Sequence, residues 1–527
     1  MVGQKESAIT PGVPKRTIAS IYNPDLLPKE QLIRMFVVRI KKFEKLFADV
    51  KSSRMEHPEQ PVLIVGLRGM GKTTLLLRLA YEVENDPELN SWLLPIVFNE
   101  EEYGITRLFK FWETVAQYLE QKDTAFAGLY DQMDRAYELE PDSVKYEKTA
   151  FELLLRTLRQ QQKKLLLFID NFGDMFQRFN KQEKQRLREV LTTCPDLRII
   201  AGSSVAAESF FKYGDPFYEL FKIEQLNGLD RRETETFLLH LGEHYPQNPV
   251  KEILEKQPGR IETLRRLTGG IPRTIVLLFE IFVDDKNGDA FTDLERVLDS
   301  VTPLYKHRMD DLKPQQQEII NALAHSWDAV SAKEVAQKTR LSSKLVSAQL
   351  KQLKQNNLVD IQRTNTKNHL YLLHDRFFNI WYLMRMARRG DKKRVLWLVR
   401  FLEQWCDEEQ LSTRAKSLLW NDQSERAKAL GLTFLYADEY LLEDDDQFQF
   451  HLLLLAKQEY PFLYDYFIGE KGREFQLKDR FKPLWYALMH YMQDEYPTEY
   501  LRMPPEIKET VEEIIARVEQ MRKDYSL

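Results

Sequence analysis

Pro61-Val-Leu-Ile-Val-Gly66-Leu-Arg-Gly69-Met-Gly71-Lys72-Thr73-Thr74, followed at once by Leu75-Leu76-Leu77-Arg78-Leu79-Ala80, is the stretch from which the rest of the chain is read. A β-branched apolar run passes into G-x-x-x-x-G-K-T and then into an apolar helical pattern, which predicts strand, loop and helix in that order. Phosphate oxygens need many donors in a small volume. Glycines at Gly66, Gly69 and Gly71 let successive amides, Met70 among them, turn inward without a side chain in the way. The helix beginning at Lys72, Thr73 and Thr74 adds its unpaired N-terminal amides and the positive end of its dipole. Lys72 offers a mobile ammonium to the β- and γ-phosphates, and the Thr73 hydroxyl is placed to ligate a magnesium ion bridging them.

Working outward, the chain of 527 residues is long enough for about three domains. Its net charge of -5 with 30% charged residues fits a soluble protein, so affinity for nucleic acid has to come from a local basic face. Cys194 and Cys406 are far apart and lack C-x-x-C or His-spaced neighbours, so neither a disulfide framework nor a zinc site is expected. With no apolar signal core at the N-terminus and no membrane-length apolar run, a reducing cytoplasm without membrane association is expected. Residues 1–20 read as a flexible arm.

Pro28 to Val50 is helical in period. Leu94–Phe98 reads as a second strand, and Thr106 to Leu119 as a helix whose stripe of Leu108, Phe111, Trp112, Val115 and Leu119 belongs to the core. The acidic cluster Asn99–Tyr103 receives no chemistry. Lys163 to Asp170 is a short apolar run ending in an acid. On a buried parallel strand next to the phosphate strand, such an acid holds the magnesium water shell, so Asp170 is the expected metal-side carboxylate together with Thr73. Asn180 with Glu183, and Asp230 with Glu233, are spaced as helix-capping pairs. Leu197–Gly202 gives a further strand ending at Ser203-Ser204, where a polar side chain can reach a γ-phosphate, and Phe221–Leu226 gives another. Strands alternating with helices over 60–245 predict an α/β fold, a parallel sheet with helices on both faces. Beyond it, Gly269-Gly270-Ile271-Pro272-Arg273 separates two apolar-periodic helices. Arg273 at a helix start is electrostatically unfavourable unless it has an anionic partner.

Together these pieces resemble the AAA+ superfamily, and within it the STAND-type switch ATPases and related origin-recognition-like ATPases, over about residues 20–385. The resemblance implies a P-loop nucleotide-binding domain at 21–245, a helical lid at 246–311 and a winged helix at 312–389; the remainder, 390–527, is helical in pattern and reads as a C-terminal all-α region. The resemblance also implies ATP and Mg2+ as cofactors, in agreement with the absence of an Asn-Lys-x-Asp guanine reader. Gly66–Thr73 is similar to Walker A and Leu165–Asp170 to Walker B. Ser203 falls where sensor 1 would be, and Phe36-Val37-Val38-Arg39 resembles an element near the adenine, with Val38 where glycine is usual. Pro272 or Arg273 resembles the lid residue that reads bound phosphates. Where active members carry a glutamate after the Walker B aspartate, this chain has Asn171. An amide positions water but does not accept its proton, so slow hydrolysis is expected, with Asp174 as a stand-in base. Arg178, Arg198, Arg231 and Arg232 are all open as arginine fingers.

Residues 312–376 resemble a winged helix: helices at Pro314–Ser326, Ser331–Thr339 and Ser342–Asn356, then strands Leu358–Ile361 and His369–Leu373 around a wing at Asn365–Asn368. Tyr371 to Phe378 is similar to the Y-x-L-x-D-x-F-F stretch that closes this module in related prokaryotic ATPases. The third helix carries Val346, Leu350 and Leu353 on one stripe and Lys344, Ser347, Lys351 and Lys354 on another, with Arg363 and Lys367 at the wing. The second stripe is the candidate contact to duplex DNA, or else a solvated face of a scaffold. In the final helix Ile507, Val511, Ile514, Val518 and Met521 form a seam that packs on its own domain or on a protein partner. Glu443–Asp446 reads as a solvated loop, and Glu506-Ile507-Lys508 as structural rather than nuclease-like. The expected function is a nucleotide-controlled switch that oligomerises on ATP, with an ATP-loaded DNA-binding initiator or regulator as the alternative.

Overall fold

The computed structural model describes residues 24, 27–98, 104–203, 215–243, 245, 248–355, 358–364, 368–386, 389–406 and 451–525. The expected arm, the acidic clusters at 99–103 and 443–446, Ser204 and the wing tip with Lys367 lie outside these residues, as does the side chain of Asp174. The chain forms two compact units. One runs to His240 and takes in Ile271–Arg273, and the other comprises Leu241–Gly270 and the chain from Thr274 onward.

In the first unit β1 (Val62–Val65), β2 (Leu93–Val97), β3 (Lys164–Ile169), β4 (Leu197–Ser203) and β5 (Lys222–Gln225) form one sheet in the order β2-β3-β4-β1-β5. Every pairing is parallel. Residue parity separates the two faces, because successive side chains on a strand point to opposite sides. Leu63, Leu165, Leu167, Ile169, Ile199 and Ala201 enter one core with Phe111, Trp112, Leu154 and Leu187. Val62, Ile64, Leu166, Phe168 and Ile200 enter the other with Phe43, Leu46, Leu75 and Leu79. Helices Ile40–Ser52 and Lys72–Asn85 thus cover one face, and Leu108–Lys122, Ser143–Gln160 and Lys181–Thr193 cover the other. The α/β sheet with helices on both faces is the fold the chain adopts.

One expectation about adjacency is corrected. β3 does not lie beside β1; β4 stands between them, with Ile200 paired to both Val62 and Phe168. The order of parallel strands is set by crossovers, and runs of Leu and Ile suit any interior position equally. The helical stretch from Pro28 breaks into Lys29–Met35 and Ile40–Ser52, since Arg39 adopts a φ of 66° between them. Both capping pairs form. Glu183 N–H donates to Asn180 Oδ1 at 3.0 Å and Glu233 N–H to Asp230 Oδ1 at 2.8 Å.

In the second unit the helix Pro258–Leu267 is closed by Gly269 and Gly270, at φ 66° and 62°. Their amides donate to the carbonyls of Arg266 at 3.1 Å and Arg265 at 2.8 Å, satisfying acceptors that the helix end leaves open. Helices Pro314–Ser326, Ala332–Thr339 and Ser343–Gln355 accompany a small antiparallel sheet of β6 (Val330–Ser331), β7 (Val359–Gln362) and β8 (Leu370–Leu373) in the order β6-β8-β7. Val346, Leu350 and Leu353 are buried, while Lys344, Ser347, Lys351 and Arg363 are exposed and Lys354 is half-buried. Asp375 caps the helix Arg376–Arg385, accepting from Phe378 N–H at 3.0 Å, and pairs with Arg308 at 2.9 Å. The final helix, Lys508–Tyr525, buries Val511, Ile514 and Val518 within its own unit, beside the helix Lys482–Tyr491. Glu506 accepts from Arg376 and from the Trp327 indole, which makes it structural. Among the described residues no helix is long and apolar enough to cross a membrane.

Candidate nucleotide site

β1 delivers the chain into the glycine loop, and each glycine there meets a different constraint. A Cβ on Gly66 would lie 2.9 Å from the Leu226 carbonyl oxygen, so only glycine lets the loop pass under the residue that follows β5. Gly69 and Gly71 have φ of 88° and 85°, a region that favours glycine and turns the neighbouring amides inward. Met70 is buried in an apolar cluster with Phe36 and Leu226, against which Leu67 and Ile271 pack. Lys72 opens the helix and is buried, its ammonium donating to the carbonyls of Gly66 at 3.0 Å and Leu67 at 3.1 Å. The cation is therefore held over the concave side of its own loop. Thr74, one residue beyond Thr73, is half-buried.

Asp170 follows β3 and is buried. One carboxylate oxygen accepts the Asn171 amide at 2.9 Å, and the other accepts the Thr73 hydroxyl. Two residues 97 positions apart thus share a hydrogen bond at the start of the loop helix. Asn171 adopts a φ of 49° and precedes the helix Phe172–Gln177. Among non-glycine residues asparagine tolerates this left-handed geometry best, which is a local reason for an amide at this place. Ser203 ends β4 opposite Val65 and is fully buried, and its carbonyl accepts the Gly66 amide at 3.2 Å.

Arg39 is drawn to other partners. Its amide donates to Glu233 at 3.1 Å and its guanidinium to the Asn227 carbonyl, while burial pulls the guanidinium below its ordinary range against the opposing pull of Glu233 and Asp230. Glu233 and Asn227 were not legible as its partners, being 194 and 188 positions away. Of the arginine-finger candidates, Arg198 is buried and paired with Asp49 at 2.5 Å, which removes it. Arg231 pairs with Glu235 on the surface at 3.0 Å.

The third contributor is the segment Ile271–Arg273. The Arg273 amide donates to the Gly69 carbonyl at 3.3 Å, and a Cβ on Gly69 would sit 3.1 Å from Arg273 Cβ and 3.2 Å from Ile271 Cγ2. Pro272 begins the helix Pro272–Asp284 at this point. Loop, Asp170 and this segment converge within one unit.

The family model described as AAA ATPase domain matches residues 36–199, a span that holds the glycine loop, Asp170, β1 to β3 and the start of β4. This part of the chain is an AAA ATPase domain. The chain's solved likenesses include a Walker-type ATPase of Pyrococcus abyssi, with 16% identity, 65% of this chain and 95% of that chain covered, and a TM-score of 0.43. The Orc1 protein of Aeropyrum pernix in complex with DNA has 13% identity, coverage of 72% and 95%, and a TM-score of 0.38. A STAND protein with a tetratricopeptide repeat sensor from Pyrococcus horikoshii has 14% identity, coverage of 92% of this chain and 65% of that chain, and a TM-score of 0.28. No curated protein matches.

Proposed function

We propose that the chain is a Mg-ATP-binding switch of the STAND type with slow hydrolysis. The observation that carries this reading is the seat of Arg273 on the phosphate loop within the first unit, its amide donating to the Gly69 carbonyl where the helix Pro272–Asp284 begins. A phosphate seated in the loop lies beside Gly69, Pro272 and Arg273, so this helix start is the part of the chain that responds to nucleotide. The donor set fits the nucleotide. Amides from Gly71 to Thr74 at the helix start and the Lys72 ammonium suit phosphate oxygens, and the Thr73 hydroxyl with the Asp170 carboxylate suits a hard cation. Mg2+ would neutralise the β- and γ-oxygens. In this reading Arg39 lies toward the adenine side, and Ser203 and Arg273 read the terminal phosphate. Asn171 orients water without accepting its proton, and Asp174 is the substitute base, so turnover is slow. In this reading the second unit comprises a lid at 246–311, a winged helix at 312–389 and a helical region at 390–527. Cys194 and Cys406 are both buried, which suits a reducing compartment such as the cytoplasm.

Saturating Mg-ATP is expected to stabilise the full chain by about 2.7 kcal/mol at a hundredfold excess over Kd, and to change its protease accessibility or oligomeric state without DNA. Stabilisation with neither change would leave a nucleotide-binding protein that is not a switch.

A second reading, an ATP-loaded DNA-binding regulator, is favoured by one observation. The helix Ser343–Gln355 buries Val346, Leu350 and Leu353 and leaves Lys344, Ser347 and Lys351 exposed, the division that a groove-binding helix needs.

A further inference from the structure

The carboxylate of Asp170 reaches Thr73 although β4 stands between β3 and β1. Adjacent strands are about 4.8 Å apart, so a side chain reaching over an intervening strand meets whatever that strand presents on the same face. Phe168 and Ile200 both face the helix Lys72–Asn85, and by parity so do Asp170 and Gly202, each two residues further on. A Cβ on Gly202 would lie 2.7 Å from Asp170 Oδ1 and 3.4 Å from Leu76 Cδ1. Leu76, 2% exposed in the core, packs on the other side of the same place. The backbone does not ask for glycine here: Gly202 pairs with Ile64 in regular parallel register and is absent from the positive-φ residues. A glycine in a strand interior is otherwise unfavourable, and a close approach by a neighbour is the usual reason for one.

We propose that Gly202 is the positioning residue for the metal-side carboxylate, the gap in β4 through which Asp170 reaches the Thr73 hydroxyl. This rests on the nucleotide-site reading only for its consequence, the dependence of nucleotide binding on magnesium. Any side chain at this place pushes Asp170 off Thr73. The cation then loses one of the two protein groups assigned to it, while the phosphate amides and Lys72 are untouched.

The test uses the full-length chain, with nucleotide affinity measured in magnesium and in EDTA, and thermal unfolding measured without nucleotide. Gly202→Ala is expected to weaken the enhancement by magnesium about tenfold to a hundredfold, the usual cost of disturbing a group that orients a metal site. Affinity in EDTA is expected to stay as in wild type. Without nucleotide, Gly202→Ala lowers Tm, and Asp170→Ala added to it raises Tm again, because the carboxylate that the methyl strikes is gone. In the Asp170→Ala background Gly202→Ala is expected to change the magnesium dependence no further. Full magnesium enhancement in Gly202→Ala, an equal loss of affinity in EDTA, or no recovery of Tm in the double variant would each overturn the proposal. Should Gly202→Ala fail to fold, recovery of a folded double variant decides in its favour and continued misfolding decides against it. If wild type binds no nucleotide the site reading falls, and the Tm recovery alone judges the crossing.

Discussion

The amide of Arg273 donates to the carbonyl of Gly69 at 3.3 Å, across 204 positions of sequence (273 minus 69). Gly69 and Gly71 share nearly the same backbone geometry, φ 88° and 85°, but a Cβ on Gly69 meets Arg273 and Ile271 whereas a Cβ on Gly71 meets nothing within 4 Å. Alanine at either place incurs left-handed strain of about 1 kcal/mol. Gly69→Ala is therefore expected to cost more stability than Gly71→Ala in urea unfolding of the nucleotide-free chain, and to raise protease accessibility around residue 271. Equal costs would show that the segment does not rest on Gly69.

Lys72→Ala is expected to remove the stabilisation that wild type gains from Mg-ATP. Lys72 is buried against two loop carbonyls, so the apo protein also loses some stability, about 2 kcal/mol for hydrogen bonds to a charged group. Thermal unfolding with and without nucleotide separates the two effects.

Asn171 combines two demands, a left-handed φ of 49° and a position beside the assigned metal carboxylate. Asn171→Gly is expected to keep stability, while Asn171→Glu loses about 1 kcal/mol from the backbone. The same glutamate is expected to raise turnover, from a wild-type rate well below about 10 per second. A fast wild-type rate that survives Asp174→Asn would contradict the role given to Asn171.

Glu262 holds two buried arginines in the second unit: Arg265 at 2.6 and 2.7 Å and Arg266 at 2.8 Å. Arg265 also reaches Glu509, and Arg266 reaches Thr510 and Glu513, on the final helix. Burial would raise the Glu262 carboxyl, but the two guanidiniums outweigh it and hold it below its usual range. A depressed folded-state value contributes stability above the unfolded value of about 4.3, lost as pH falls through the folded value. Glu262→Gln is expected to cost about 3 kcal/mol at neutral pH, with the gap to wild type closing below about pH 4 in urea titrations.

Lys351→Glu combined with Lys354→Glu is expected to abolish any DNA affinity without altering ATP binding. Each phosphate that the chain no longer neutralises lowers the slope of log affinity against log salt by about 0.9. Anisotropy with a short duplex over a salt series measures it. If wild-type chain with Mg-ATP binds no duplex at low salt, the exposed lysines of the helix Ser343–Gln355 are a solvated face of a scaffold.

The elements that rest on local chemistry are legible in the order of the residues. Gly66, Gly69 and Gly71 with Lys72 and Thr73 mark a phosphate loop because glycine conformations and a cation at a helix start are local requirements. The apolar runs of β1, β3 and β4, the capping pairs at Asn180 and Asp230, and the stripe of Val346, Leu350 and Leu353 were legible for the same reason. What depends on which strands become neighbours came from tertiary packing. It placed β4 between β1 and β3, set Asp170 reaching over Gly202, gave Arg39 to Glu233 and Asn227, and seated Arg273 on Gly69. It also turned the seam of the final helix onto its own unit. Periodicity states which face of an element is apolar, but the face it meets is chosen by crossovers and packing among residues hundreds of positions apart, which no local pattern records.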